Sequence, residues 1–209
     1  MANAFALRLD ALVGARLGPR LTAAGFGKSR RTFRRSRGPL IDIFQVQASQ
    51  WGSVDEGRFT INLAIYVPGI LTALGETPHA EPPEYVGHVR RRIGDLESPK
   101  QDRWWELRAT TDLVALAAVL ETTWLEKVDP WFGRIATLED VRRNWSSAAN
   151  DVQGVVLSYL LGDLDSARLD LRVLMQTLPP EASEERARAQ RFAAEHGLTS
   201  DQLVDSSRD

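Results

Sequence analysis

The sequence predicts an α+β fold, with a mainly antiparallel four-stranded sheet, helices packed on one of its faces, and a C-terminal helical extension. Three patterns carry this expectation. Phe59, Ile61, Leu63, Ile65 and Val67 alternate with Thr60, Asn62, Ala64 and Tyr66, the period of two that a half-buried strand imposes. Phe5, Leu9, Leu12, Val13 and Leu17 recur at helical spacing that runs on to Leu21. Leu113, Leu116, Leu120 and Trp124 form a second helical stripe.

The first helix has Gly25 available as its stop, and Gly18-Pro19 inside the pattern predicts a kink or a short second helical turn. Residues 32–37 read as a strand that turns at Gly38-Pro39, and 40–51 with 58–67 as an antiparallel hairpin joined by GSVDEG at 52–57. A loop rich in Pro, Gly and Thr, with a helical turn near 70–74, leads to a fourth strand at 85–93. Thr110 or Thr111 caps the next helix, which Asp129-Pro130 is expected to break. Thr137 and Asp140 have capping-box spacing ahead of 138–145, and helices follow at about 150–161, 165–177 and 181–195, with a fraying polar tail. This divides the chain into an α+β core domain, 1–130, and a helical extension, 131–209. YLLGDLDSARLDL at 159–171 has the spacing of one repeat hairpin; a single copy reads as an ordinary αα-hairpin.

At 209 residues the chain buries a self-sufficient core, and the absence of cysteine excludes disulfides, thiolate nucleophiles and Cys-ligated metal. Arg8, Asp10 and Arg16 interrupt the first apolar run, so it does not read as a signal peptide. No stretch reaches the roughly 18 apolar residues of a transmembrane helix. The expectation is a cytoplasmic protein without a membrane partner. Residues 1–37 hold nine Arg or Lys against Asp10 alone, a net charge of +8, so the remainder carries −10 of the overall −2. Such asymmetry suits either an anionic partner or attraction within the chain.

No catalytic signature emerges. His79, His88 and His196 lie on a loop, a strand and a helix end with no metal-binding spacing, and no GxSxG, Walker or GxGxxG motif occurs. AGFGKS at 24–29 resembles a phosphate loop, but it runs from helix to strand with the wrong glycine spacing. No catalytic residue, cofactor or metal ligand is assigned, and the reading leans away from an enzyme.

Two regions remain as candidate binding surfaces. If odd-numbered residues of 59–65 face the helices, Asn62 and Tyr66 point away, joined by Gln47 (or Gln45), His88, Arg90 and Arg92. Amides, a phenol and cations on one face suit a polar or anionic ligand; the competing reading is a solvated sheet face. The strand KSRRTFRRSR at 28–37 offers Arg31, Arg34 and Arg35 to phosphates, or protects a sheet edge and pairs with acidic residues of the same chain. Trp104-Trp105 reads as a lock between elements, one ring in the core and the other over its edge.

The phrases GFGKSRRTFRR (25–35), FQVQASQWG (44–52), RFTINLAIYVP (58–68) and RRRIGDL with DRWWEL (90–96 and 102–107) occur in an order that resembles the bacterial domain-of-unknown-function family 4304. Gly25, Phe26, Phe33, Arg34, Gln47, Phe59, Thr60, Asn62, Leu63, Arg92, Gly94, Leu96, Trp104 and Trp105 match its pattern, over about residues 5–126. The resemblance implies no activity. The leading expectation is therefore a non-catalytic binding or interaction module presenting the polar sheet face to a protein or small anionic partner. The alternative is nucleic-acid binding through 28–37, and an enzyme of unrecognised type ranks third.

Overall fold

The computed structural model describes residues 4–52, 56–145 and 151–198. They fall into two compact units, one of residues 1–66 with 81–136 and one of 67–80 with 137–209. The GSVDEG turn and the polar tail lie largely or wholly outside the described residues.

The first unit is α+β, but its sheet has six strands rather than four. Strands β1 (Gly27–Ser29), β2 (Thr32–Arg37), β3 (Leu40–Gly52), β4 (Gly57–Tyr66) and β5 (Val89–Arg92) are ordered as in the sequence, and β6 (Trp105–Leu107) also pairs with β4. Every pairing is antiparallel. At three residues each, β1 and β6 are too short to show a periodicity. The fourth expected strand shrinks to Val89–Arg92 because Glu84–Val86 winds into a 3-10 turn ahead of Gly87. Arg30 and Arg31 form the two-residue link between β1 and β2, with Arg30 at a φ of 55°. Gly or Asn normally takes such a position, which costs an arginine about 1 kcal/mol.

Helices α1 (Ala4–Leu12) and α2 (Gly18–Ala23) are joined without a break by a π-helical turn at Val13–Leu17, which accommodates Pro19 inside a continuous helix. Gly25, at a φ of 88°, ends this run. The expected break at Asp129-Pro130 does not occur. Helix α4 (Leu113–Thr123), capped by Asp112 rather than by either threonine, passes through a second π turn at Trp124–Val128 into α5 (Asp129–Gly133).

These helices bury the odd-numbered face of β4. Phe26, Phe44, Trp124 and Phe132 meet edge-on or tilted with centroids 5.6–6.5 Å apart, and Phe33 meets Phe44 edge-on at 6.0 Å. Leu63 and Ile65 are inaccessible. Trp105 stacks on Phe59 at 5.5 Å.

The second unit comprises α3 (Pro68–Ala73), α6 (Leu138–Asn144), α7 (Val152–Leu160), α8 (Leu164–Thr177) and α9 (Ser183–Glu195). The capping box of Thr137 and Asp140 opens α6 as expected. Helices α7 and α8 form an αα-hairpin, with Ser158 donating to Asp170 (2.7 Å) and Arg142 pairing with the same carboxylate (2.8 Å). Arg188 grips Glu76 through two bonds of 2.6 and 2.8 Å, and His196 caps α9 with its Nε2 3.1 Å from the Ala73 carbonyl.

Candidate functional site

The register decides which side chains share the second face of the sheet. Residues directly opposite one another point the same way. Gln45 lies opposite Asn62, Gln47 opposite Thr60, Arg92 opposite Asn62, and Arg90 opposite Ala64. Gln47, Asn62, Tyr66, His88, Arg90 and Arg92 therefore lie on one side, as the alternation implies, but they do not all reach solvent.

Two straps cross this face. The first, residues 81–87, lies over one end: Arg34 Nε donates to the Pro82 carbonyl (2.8 Å), and Gly87 is so close that an added Cβ would stand 2.4 Å from the Ala64 Cβ. There Tyr66 stacks on His88 at 5.2 Å, and both are buried. The second strap follows a 3-10 turn at Ile93–Leu96 and crosses the other end, where Thr60 Oγ1 donates to the Arg103 carbonyl (2.8 Å). Its return is tight at Gly94, where an added Cβ would lie 1.7 Å from the Gln101 carbonyl oxygen.

Between the straps remains an open cleft of about 600 Å³, lined by Gln45, Gln47, Asn62, Glu84, Tyr85 and Arg90–Arg92 with Asp95. Four of the six expected face residues, Gln47, Asn62, Arg90 and Arg92, line it. Tyr66 and His88 are buried and do not line it. Glu84 and Tyr85 escaped the sequence reading because their position depends on the strap's path.

Within the cleft most charges are matched. Arg90 holds Glu84 through two hydrogen bonds, Nε to Oε1 (2.9 Å) and Nη2 to Oε2 (3.1 Å), although Glu84 is only 5% exposed. The Glu84 hydrogen bond holds the Arg90 guanidinium above its ordinary value, against the opposing effect of burial. Asp95 accepts from the Arg92 backbone N–H (2.8 Å), and Arg92 Nη1 donates to Asp102 (2.9 Å). The Trp104 indole N–H donates to the other oxygen of Asp102 (2.8 Å); this bond, followed by that from Arg92, depresses the carboxyl pKa. Arg58 and Arg92 both lie over the Trp104 ring, 4.8 and 5.4 Å from its centroid. Asn62 donates to the Oε1 atoms of Gln45 (3.2 Å) and Gln47 (2.6 Å), forming an amide row across the floor.

Arg31, Arg34 and Arg35, the three arginines of the basic strand offered to phosphates, each have partners within the chain. Arg31 pairs with Asp10 (2.7 Å), and Arg34 lies 3.8 Å from Glu81, its pKa lowered by burial. Arg35 turns to the helical face, where it pairs with Asp42 (2.8 Å) and lies over the Phe26 ring at 4.5 Å.

A family model for the domain of unknown function DUF4304 matches residues 17–134. The chain belongs to this family. The match begins later and ends later than the resemblance at 5–126, and it spans every strand of the sheet and every residue of the cleft. Helices α6–α9 lie beyond the DUF4304 region. No curated protein and no solved structure gave a match. Among the described residues no helix is long and apolar enough to cross a membrane, and no cluster of three or more His, Asp or Glu is placed to hold a metal ion.

Proposed function

We propose that this DUF4304 protein is a non-catalytic binding module whose ligand site is the cleft between the two straps. The observation that carries this reading is the row of side-chain amides beside Arg90 and Arg92, on paired strands that hold the groups rigid. Both carboxylates at the cleft already accept hydrogen bonds, Glu84 from Arg90 and Asp95 from the Arg92 backbone, which favours binding over acid–base chemistry. The internal partners of Arg31, Arg34 and Arg35 favour the cleft over the basic strand as the interaction surface. The reading carries with it a cytoplasmic setting and a small anionic molecule, or an acidic group of a protein, as partner.

Titration of the ¹⁵N-labelled protein with small carboxylates, phosphates, amines and neutral amides tests it. The expected result is a set of shifts confined to Gln45, Gln47, Asn62, Tyr85 and Arg92, weakened about tenfold by Arg92→Ala, as loss of a charge-assisted hydrogen bond implies. Shifts absent from these residues for every probe would overturn the proposal. Arg92 is preferred to Arg90 for this test because removing Arg90 would strand the buried Glu84.

A further inference from the structure

We infer that Asn62 sets the hydrogen-bonding polarity of the cleft floor and restricts its ligand to one presenting an oxyanion, a carboxylate or phosphate group. The inference rests on the binding reading above and adds what the site selects.

A primary amide offers two N–H donors at one end and one carbonyl acceptor at the other. Asn62 commits its Nδ2 to the Oε1 atoms of both glutamines, Gln45 directly across the ladder and Gln47 diagonally. Anchoring those carbonyls turns the opposite end of each planar amide away from Asn62. Among the described residues neither Gln45 nor Gln47 donates its Nε2 hydrogens to an acceptor, and both side chains line the cleft. Arg92 faces Asn62 on the other neighbouring strand, so Gln45, Asn62 and Arg92 form one line across three strands, with donors at both ends.

The cleft's carboxylates are partly committed: each Glu84 oxygen takes a hydrogen bond from Arg90, and Asp95 Oδ2 takes one from the Arg92 backbone, while Arg90, Arg91 and Arg92 put three cations beside these two anions. An oxyanion satisfies this array because each of its oxygens accepts more than one hydrogen bond. An ammonium group would meet N–H groups and guanidinium charge instead. Tyr85, 70% exposed on the cleft rim, leaves an apolar ring surface for the body of the ligand.

The test is Asn62→Asp, which keeps the shape but leaves only acceptors. Both glutamines then turn over, presenting carbonyls to the cleft. Without any ligand, the Nε2 protons of Gln45 and Gln47 should exchange freely with water in the wild type and become protected in the variant. Protection already present in the wild type, or exchange unchanged by the substitution, would overturn the inference whatever the cleft binds. With ligand, inorganic phosphate or succinate should bind the wild type in preference to methylammonium and lose at least about tenfold in affinity in the variant. Tighter binding of phosphate than of succinate, or the reverse, identifies the source of the oxyanion. Binding of methylammonium in preference to both at the same residues would overturn the oxyanion inference while leaving the binding module standing; silence of the cleft toward every probe would overturn both. Asn62→Ala is the control should Asn62→Asp fail to fold: it releases the glutamines without inverting them, so oxyanion binding should weaken without a gain for methylammonium.

Discussion

Arg37 holds Asp42 by two short hydrogen bonds, Nε to Oδ2 and Nη2 to Oδ1, each 2.6 Å, and that carboxylate has no solvent exposure at all. Arg35 reaches the same Oδ2 from two positions earlier, and the Arg37 guanidinium continues to the carbonyls of Phe132 (3.2 Å) and Ile135 (2.9 Å). One buried acid thus ties β2 and β3 to the end of α5. Asp42→Ala leaves two partly buried guanidiniums with only the more distant Asp129, 3.9 Å from Arg35, as counter-ion and should cost roughly 3 kcal/mol in urea unfolding.

Leu63 and Asn62 are neighbours in sequence on opposite faces of β4. Leu63→Asp puts an unpaired charge at a site of zero exposure among the helices and should abolish the cooperative melt, the loss exceeding about 4 kcal/mol. Asn62→Asp, although Asn62 is only 8% exposed, puts the new charge beside Arg92 and should retain the fold by circular dichroism.

Gly87 has an ordinary backbone conformation, with φ −67° and ψ 140°, so the need for glycine here is one of space. Gly87→Ala must push the 81–87 strap away from Ala64, at about 1–3 kcal/mol for overpacking. Because Glu84 and Tyr85 ride on that strap, probe binding at the cleft should weaken by more than the loss of stability alone explains. Calorimetry and the probe titration measure the two effects separately.

Glu97 provides an acid-sensitive contact. Burial raises its pKa, but hydrogen bonds from Lys127 (3.0 Å) and Gln101, with the charges of Lys127 and Arg103, together bring it below its ordinary value of 4.5. A carboxylate whose folded pKa is depressed contributes its stability above the unfolded value and loses it as pH falls through the folded one. The wild type should therefore lose stability below about pH 4.5, and Glu97→Gln should flatten that part of the curve while lowering the plateau at neutral pH. Chemical denaturation across the acid range reads both.

The parts of the fold legible in the sequence were those where burial writes a period. Strand β4 alternates in residue type because its large apolar residues lie against the helices, while its even-numbered face, buried as well, meets the straps with Thr60, Asn62, Ala64 and Tyr66; α4 shows its stripe because Leu120 turns inward. Strands β1 and β6 gave no such signal in three residues each. Pro130 reads as a helix breaker, yet the π turn before it lets the helix continue. For the cleft, alternation brought out Asn62, Arg90 and Arg92, whereas the burial of Tyr66 and His88 depends on a strap whose path local pattern does not encode. The Trp104-Trp105 pair behaves as its amphipathic rings imply, Trp105 in the core and Trp104 at its margin under two arginines.

The π turn at Trp124–Val128 holds one residue more than an α-helical turn of the same span. Shortening the chain by Leu125, which is 47% exposed, would let this turn close as an ordinary α-helical turn of the same span, so the residues beyond it would keep their place around the helix axis. Phe132 would stay against Phe26, and the two carbonyls that receive Arg37 would stay within reach of their donor. Leu125 is thus a surplus unit of length, so natural variation at this turn is expected to include single-residue deletions as well as substitutions.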